Sequence, residues 1–178
     1  MTEEWLERLA NQIKENERKG AQEAARTRTR IQLLVRNGPV FWKSFSEALH
    51  KNVMDLRNLL EGDVTLAEGP LSFDVNASTL QISFAKAAFP TVQFMATPRF
   101  DQERADITYF PVGPRSEASS MACELEVDYN GRVTMRLEGR PFTNPTDAAT
   151  FVMERVFRVP ALRRVQSQDS HLGRVGSE

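Results

Sequence analysis

Cysteine and histidine are nearly missing from this chain: one thiol, Cys123, and two imidazoles, His50 and His171, among 178 residues. A single thiol cannot close an intramolecular disulfide, so an oxidatively stapled fold is excluded. No HExxH, CxxC or Asp-rich calcium loop occurs, so neither a metal nor a cofactor is expected. The nine glycines never cluster, which removes P-loop and dinucleotide fingerprints, and no Gly-x-Ser-x-Gly elbow is present. No apolar run approaches the roughly 18 residues of a membrane span. The start, Met-Thr-Glu-Glu-Trp, lacks the basic-then-apolar pattern of a secretory signal, so a cytoplasmic location is the expectation. Charge of one sign is lacking too: 23 Lys+Arg against 24 Asp+Glu leave a net of −1, which gives no global pull toward nucleic acid or anionic lipid.

What is there is the apolar and charged content of a soluble globular protein, 40 % and 26 %, in a chain long enough to build a core without staples. The near-zero net charge hides a bias by segment. Residues 1–36 carry eight basic and six acidic side chains, whereas residues 61–140 carry seven and twelve. A basic arm and an acidic body can therefore pair, within one chain or between two.

Residues 2–36 read as a helix. Thr2 can cap it, Glu3 and Glu4 suit the first turn, and Trp5, Leu6, Leu9 and Ile13 form one apolar stripe. The stripe then fails between Lys14 and Gly20. Such a helix would run about 50 Å, longer than a domain of this size is wide, so part of it should project or pack on another chain. A strand pattern competes over 26–36, where Thr27, Thr29, Ile31, Leu33 and Val35 alternate with mostly polar neighbours; the helix is favoured by the strong propensity of Gln22 to Arg26. Asn37-Gly38-Pro39 punctuates, with Gly38 suited to a helix end and Pro39 to the first position of a second helix. That helix, 39–60, carries Phe41, Phe45, Ala48, Leu49, Val53, Leu56 and Leu60 at helical spacing.

From residue 64 the period changes to two. Leu71, Phe73 and Val75 answer Leu80, Ile82 and Phe84 across a two-residue Ala77-Ser78 turn. A third strand holds Val92, Phe94 and Ala96 and stops at Pro98; a fourth holds Ile107, Tyr109 and Val112. For residues 121–138 a two-residue Asn130-Gly131 turn mixes polar and apolar residues on both faces. A three-residue loop, Tyr129-Asn130-Gly131, instead pairs Cys123, Leu125 and Val127 with Leu137, Met135 and Val133. Asn144 and Pro145 then open a helix over about 145–158. The predicted fold is α+β: two N-terminal helices, an antiparallel meander of about six strands, and one C-terminal helix packed on one sheet face. The predicted organisation is a helical arm over 1–36, an α+β domain over 37–160 and a flexible tail over 161–178.

The alternation turns Cys123 inward, as a small buried hydrophobe rather than a nucleophile, and no catalytic residues are assigned. The reading leans away from an enzyme, toward a non-enzymatic interaction or structural protein. Its contacts, to a second copy or a protein partner, would run through Trp5, Leu6, Leu9 and Ile13. A second reading is a small-molecule module with its ligand between the sheet and helix 39–60, bordered by Phe89, Phe100, Phe110 and Phe142. A third is a nucleic-acid contact through Arg26, Arg28 and Arg30. On a helix these three arginines step about 200° apart and share no stripe, so nucleic acid is not the expected partner.

Overall fold

The computed structural model describes residues 3–61, 71–86, 91–110 and 117–157. Thr2, Gly62, Asp63, Phe89, Pro90, Pro111 to Pro114 (with Val112), His171 and the tail expected over 161–178 lie outside them. The chain is mixed α+β. Helix α1 (Glu3–Glu61) is followed by strands β1 (Ser72–Asn76), β2 (Gln81–Lys86), β3 (Val92–Arg99), β4 (Arg104–Phe110), β5 (Ser119–Met121), β6 (Cys123–Val127), β7 (Val133–Leu137) and β8 (Arg140–Phe142). Helix α2 (Pro145–Val156) closes the order. The strands form one antiparallel sheet in the order β1-β2-β3-β4-β6-β7-β8, with β5 on β4.

The two expected N-terminal helices are one. Helix α1 is 59 residues long with Pro39 inside it, about 88 Å of continuous helix, and residues 26–36 are helical rather than extended. Proline in a helix interior costs about 3 kcal/mol, because it lacks the N–H and crowds the preceding carbonyl. The compensation is packing. Leu34, Trp42, Phe45, Leu49 and Val53 are all 2 % exposed or less, at spacings that share one side of a single helix. Burial of each is worth roughly 1.5–3 kcal/mol, so a break at Asn37 that misaligned Leu34 and Trp42 would lose more than the proline costs. Gly38 is not a helix end either. A Cβ built on it would stand 2.5 Å from Cδ1 of Phe100, so its role is to let α1 approach the turn between β3 and β4.

Among the described residues the sheet has eight strands rather than six. One addition is a break: β5 and β6 meet β4 in the same register, Ile107↔Met121 and Arg104↔Glu124, with Ala122 between them. The other is β8, which folds back on β7 through Glu138-Gly139, both at positive φ (48° and 82°). Two successive left-handed residues make the tight turn that suits strand twist. Pro98 does not stop β3, which pairs with β4 as far as Arg99. Pairing with β2 ends at Ala96, and proline is tolerated where one side of a strand has no ladder partner.

The first hairpin is shifted by two residues. Phe73 pairs with Phe84 and Val75 with Ile82, which leaves a four-residue loop over 77–80. Asn76 drives the change: its Oδ1 accepts from the N–H of Ser78 and of Thr79, at 3.0 and 3.2 Å, an Asx turn that a two-residue connection does not allow. Leu80 takes a φ of 55°, and its carbonyl accepts Nε1–H of Trp42 at 2.7 Å. A slip of two preserves which face each side chain points to. The second hairpin has the three-residue loop, with Cys123↔Leu137, Leu125↔Met135, Val127↔Val133 and Glu124↔Arg136. Gly131 sits at φ 80°, and the Asp128 carboxylate accepts from the N–H of Asn130 and of Arg132, each at 2.9 Å.

One face of the sheet is buried and the other alternates to polar residues. Helix α2 lies beside α1, with Ala148, Ala149, Val152 and Val156 buried. Asn144 caps it, its side chain accepting from the N–H of Thr146 at 3.0 Å, with Pro145 at the first turn. Phe84 stacks between Phe94 and Phe157, with ring centroids 4.7 and 5.9 Å away.

Gly38→Ala is expected to destabilise the fold by about 1–2 kcal/mol in urea melts, because overpacking against Phe100 outweighs the roughly 1 kcal/mol helix gain of alanine. In a Phe100→Ala background the same change should be neutral or stabilising. Equal loss in both backgrounds would show that the Phe100 ring is not what constrains this position.

Candidate functional site

Every described side chain from residue 4 to residue 30 of α1 is exposed, and burial begins at Ile31. The helix therefore projects about 40 Å beyond its packed part. Trp5, Leu6, Leu9 and Ile13 are 46, 50, 39 and 49 % exposed. They lie on one side of the helix, so the molecule offers water a stripe of four large apolar side chains. At 100° per residue Leu9, Thr27 and Phe45 project in one direction, since 18 residues make five turns. The stripe is thus the outward continuation of the face that α1 turns to its own sheet.

Of the three candidate arginines, Arg26 and Arg28 stand exposed on different sides of the arm. Arg30 reaches the body, where its Nη2 donates to Oε2 of Glu103 at 2.8 Å and its Nε donates to Oε1. This fork is the strongest geometry available to an arginine and a carboxylate, and the paired carboxylate holds the guanidinium above its ordinary pKa. Glu103 occupies the corner between β3 and β4 at a φ of 54°, and its carbonyl accepts the N–H of Leu125 at 2.8 Å. One residue thus ties the arm, the β3–β4 corner and β6 together. The basic arm and the acidic body meet here within one chain.

Clefts flank this joint. One, of about 600 Å³, is lined by Arg30, Gln102, Glu103, Arg104, Glu124 and Glu126 and carries charges of both signs. Another, of about 420 Å³, lies between Ala25, Thr29 and Leu33 of the arm and Val127 and Tyr129 of the β6–β7 hairpin. Tyr129 is 90 % exposed at the hairpin tip. On the far side of the body Arg155 pairs with Glu138 at 3.1 Å, and Arg140 lies 5.5 Å from the Phe151 ring. Between α1 and the sheet, by contrast, the space is occupied by Trp42, Phe45 and Leu49, with Leu80 and Phe100 packed beside them. Phe142 meets Phe151 at 5.3 Å, and the two line an open cleft of about 380 Å³ beside α2 rather than a space between the sheet and α1.

Among the described residues no three His, Cys, Asp or Glu side chains gather as metal ligands, and no helix is long and apolar enough to cross a membrane. His50 stacks on Phe73 at 4.7 Å. Cys123 is 5 % exposed, and burial pushes its thiol up to about 12, the opposite of what a nucleophile needs. Glu103 and Tyr129 are the residues of this region that sequence reasoning passes over. Glu103 lies 73 positions from Arg30, and only the β3–β4 register brings it to the arm. Tyr129 was legible as a loop residue, but not as a wall of the arm's base.

The buried thiol gives a direct check. Its folded value lies above the roughly 8.5 of a free thiol, so the unfolded chain loses this proton first as pH rises. The stability it contributes holds below about pH 8.5 and is lost between there and about pH 12. Native protein at pH 8 is expected to resist a thiol reagent for hours and to react at one thiol per chain once unfolded in urea. Rapid labelling of the native protein would contradict the packing around Cys123. Comparison of the chain with known protein families, curated proteins and solved structures finds no match to any of them.

Proposed function

We propose that this protein is a non-enzymatic interaction or structural protein that assembles through the projecting half of α1, with the α+β body as its anchor. The observation that carries the reading is the exposure of Trp5, Leu6, Leu9 and Ile13 on one stripe. Leaving four such side chains in water forgoes roughly 1.5–3 kcal/mol each, and contiguous apolar surface of this kind marks a place where something docks. Among the described residues none packs on that stripe, and every described side chain from residue 4 to residue 30 is exposed.

The ligand-module reading has less support. The helix–sheet space it requires is lined by side chains that are nearly all fully buried, and the clefts described above lie outside that space. The nucleic-acid reading keeps only Arg26 and Arg28 as uncommitted cations, since Arg30 is held by Glu103.

Light scattering and sedimentation of the full chain at micromolar concentration are expected to give a mass above that of one 20.2 kDa chain. Deletion of residues 1–20 should return it to a monomer with its near-ultraviolet spectrum retained. A full chain that stays monomeric at 100 µM or so, with a melting point unmoved by the deletion, would sink the proposal.

A further inference from the structure

Beside α2 the body carries an arrangement that its own packing does not use up. Asp147, Thr150, Phe151 and Glu154 recur at three- and four-residue spacing, so they share one side of the helix. Two open clefts lie along that side, of about 610 and 380 Å³. Arg140, Phe151 and Glu154 border both, so the clefts are neighbours along one trough. Arg140 lies at this shared border, its guanidinium carbon 5.5 Å from the centre of the Phe151 ring. The Phe142 ring, 5.3 Å from Phe151 and tilted by 43°, adds a second aromatic wall. The trough shares no lining residue with the clefts at the base of the arm.

Charge along the trough is unevenly settled. Arg155 is committed to Glu138: its Nε and Nη2 both donate to Oε1, at 3.2 and 3.1 Å. The guanidinium of Arg140, among the described residues, has the Phe151 ring and no carboxylate, and an exposed cation–π contact is the weaker kind. Asp147 and Glu154 have no ion pair among the described residues. The helix itself explains Asp147, which stands in its first turn. It does not explain Glu154, which stands in the last turn, where the dipole disfavours an acid. Two carboxylates therefore flank one loosely held cation, and the trough has room for further positive charge beside the ring.

We infer that this trough binds an arginine-bearing peptide segment of another protein, and that Arg140 holds the place of the incoming guanidinium until the peptide displaces it. The site does not depend on the arm or on the assembly reading. Arginine fits better than lysine, because a flat guanidinium can lie on the Phe151 ring while its edge forks onto a carboxylate, whereas an ammonium is a point charge that offers no flat face to the ring. The incoming arginine gains the ring and Glu154 together, where Arg140 has the ring alone. Asp147 and Glu154 lie two helical turns apart, about 10.5 Å along α2. An extended segment of the polyproline II kind repeats its side-chain direction every three residues, about 9.3 Å. A segment of the form Arg-x-x-Arg therefore brings one guanidinium to each carboxylate.

The test titrates the full chain with the peptide acetyl-Arg-Ala-Ala-Arg-amide by calorimetry, with acetyl-Lys-Ala-Ala-Lys-amide beside it. Binding with a dissociation constant on the order of 1 mM is expected for the arginine peptide, and binding at least about threefold weaker for the lysine one. E154Q, and F151L, which keeps the apolar volume without the ring, should each weaken the arginine peptide by about threefold or more. R140A should tighten it by about twofold to fivefold, because the competing cation is gone. In an F151L background the gain from R140A should shrink, since there is no ring to compete for. Each variant is first matched to the parent by its near-ultraviolet spectrum. No binding at about 10 mM peptide, equal binding of the lysine peptide, or weaker binding by R140A overturns the inference. An equal gain from R140A in both backgrounds does so too, since removal of a charge alone would then account for it. The sedimenting mass of the chain should not change when the peptide is added. A fall in mass would make the occupant an arginine of a second copy and overturn the assignment to another protein.

Discussion

The burial of one stripe of α1, from Leu34 through Val53, is the contact on which the rest of the structure depends. Those side chains form the wall against which the sheet lays its apolar face and beside which α2 packs. They fix the helix as a single rod, because Leu34 and Trp42 bear on the same core from either side of Gly38 and Pro39. A rod held so firmly at one end must go somewhere at the other. Since its inner part is set by the core, its outer part is aimed by the core as well, and the stripe at Trp5 to Ile13 inherits its direction from Phe45.

Three devices hold the rod against the body, each of a different kind. Gly38 gives up a side chain so that the Phe100 ring can touch the helix backbone. Trp42 keeps its large ring in the core by giving its one polar atom to the carbonyl of Leu80, which meets the requirement that a buried indole N–H be bonded. Arg30 makes its fork with Glu103 at the boundary with solvent. The first two act through fully excluded water. The third is half-exposed, and a surface pair of that kind is worth at most about 1 kcal/mol. Its effect is geometric, since it fixes where the arm leaves the body.

Much of this fold was legible from residue order alone. The 121–138 hairpin was decided by demanding one apolar and one polar face from a single register, a constraint strong enough to reject the more common Asn-Gly turn. The capping of α2 by Asn144 and the inward turn of Cys123 followed from similarly local rules. The failures were of two types, one long-range and the others local. Gly38-Pro39 carries a strong stop signal for a helix, and the stop is overridden by packing against Phe100, a residue far away in sequence. The Ala77–Leu80 loop looked like a two-residue turn until Asn76 captured two backbone N–H groups. The Glu138-Gly139 turn, with a non-glycine in the left-handed region, concealed β8. Of the candidate site, the apolar stripe was visible in the sequence because it is periodic. The anchor at Glu103 was not, because nothing at position 103 distinguishes it until β3 and β4 are paired.

The outer arm also shows how a helix can persist without a core. An isolated helix must first form a costly nucleus, and most helical stability in proteins comes from packing rather than from propensity. Here the nucleus exists already, as the buried turns from Leu34 onward, so the arm needs only to propagate outward from them. Local pairs contribute a little: Glu15 with Lys19 at 2.9 Å, and Nε of Arg8 donating to the Glu4 carbonyl at 3.2 Å. Such pairs are worth a few tenths of a kcal/mol each, against a cost of about 1 kcal/mol for Gly20 relative to alanine. A glycine retained at that point weakens the lone arm, and it is tolerable because the turns on either side continue a helix already fixed in the body. A Cβ at Gly20 would meet nothing within 4 Å, so no contact with the described body requires a glycine there, and its cost falls on the order of the arm alone.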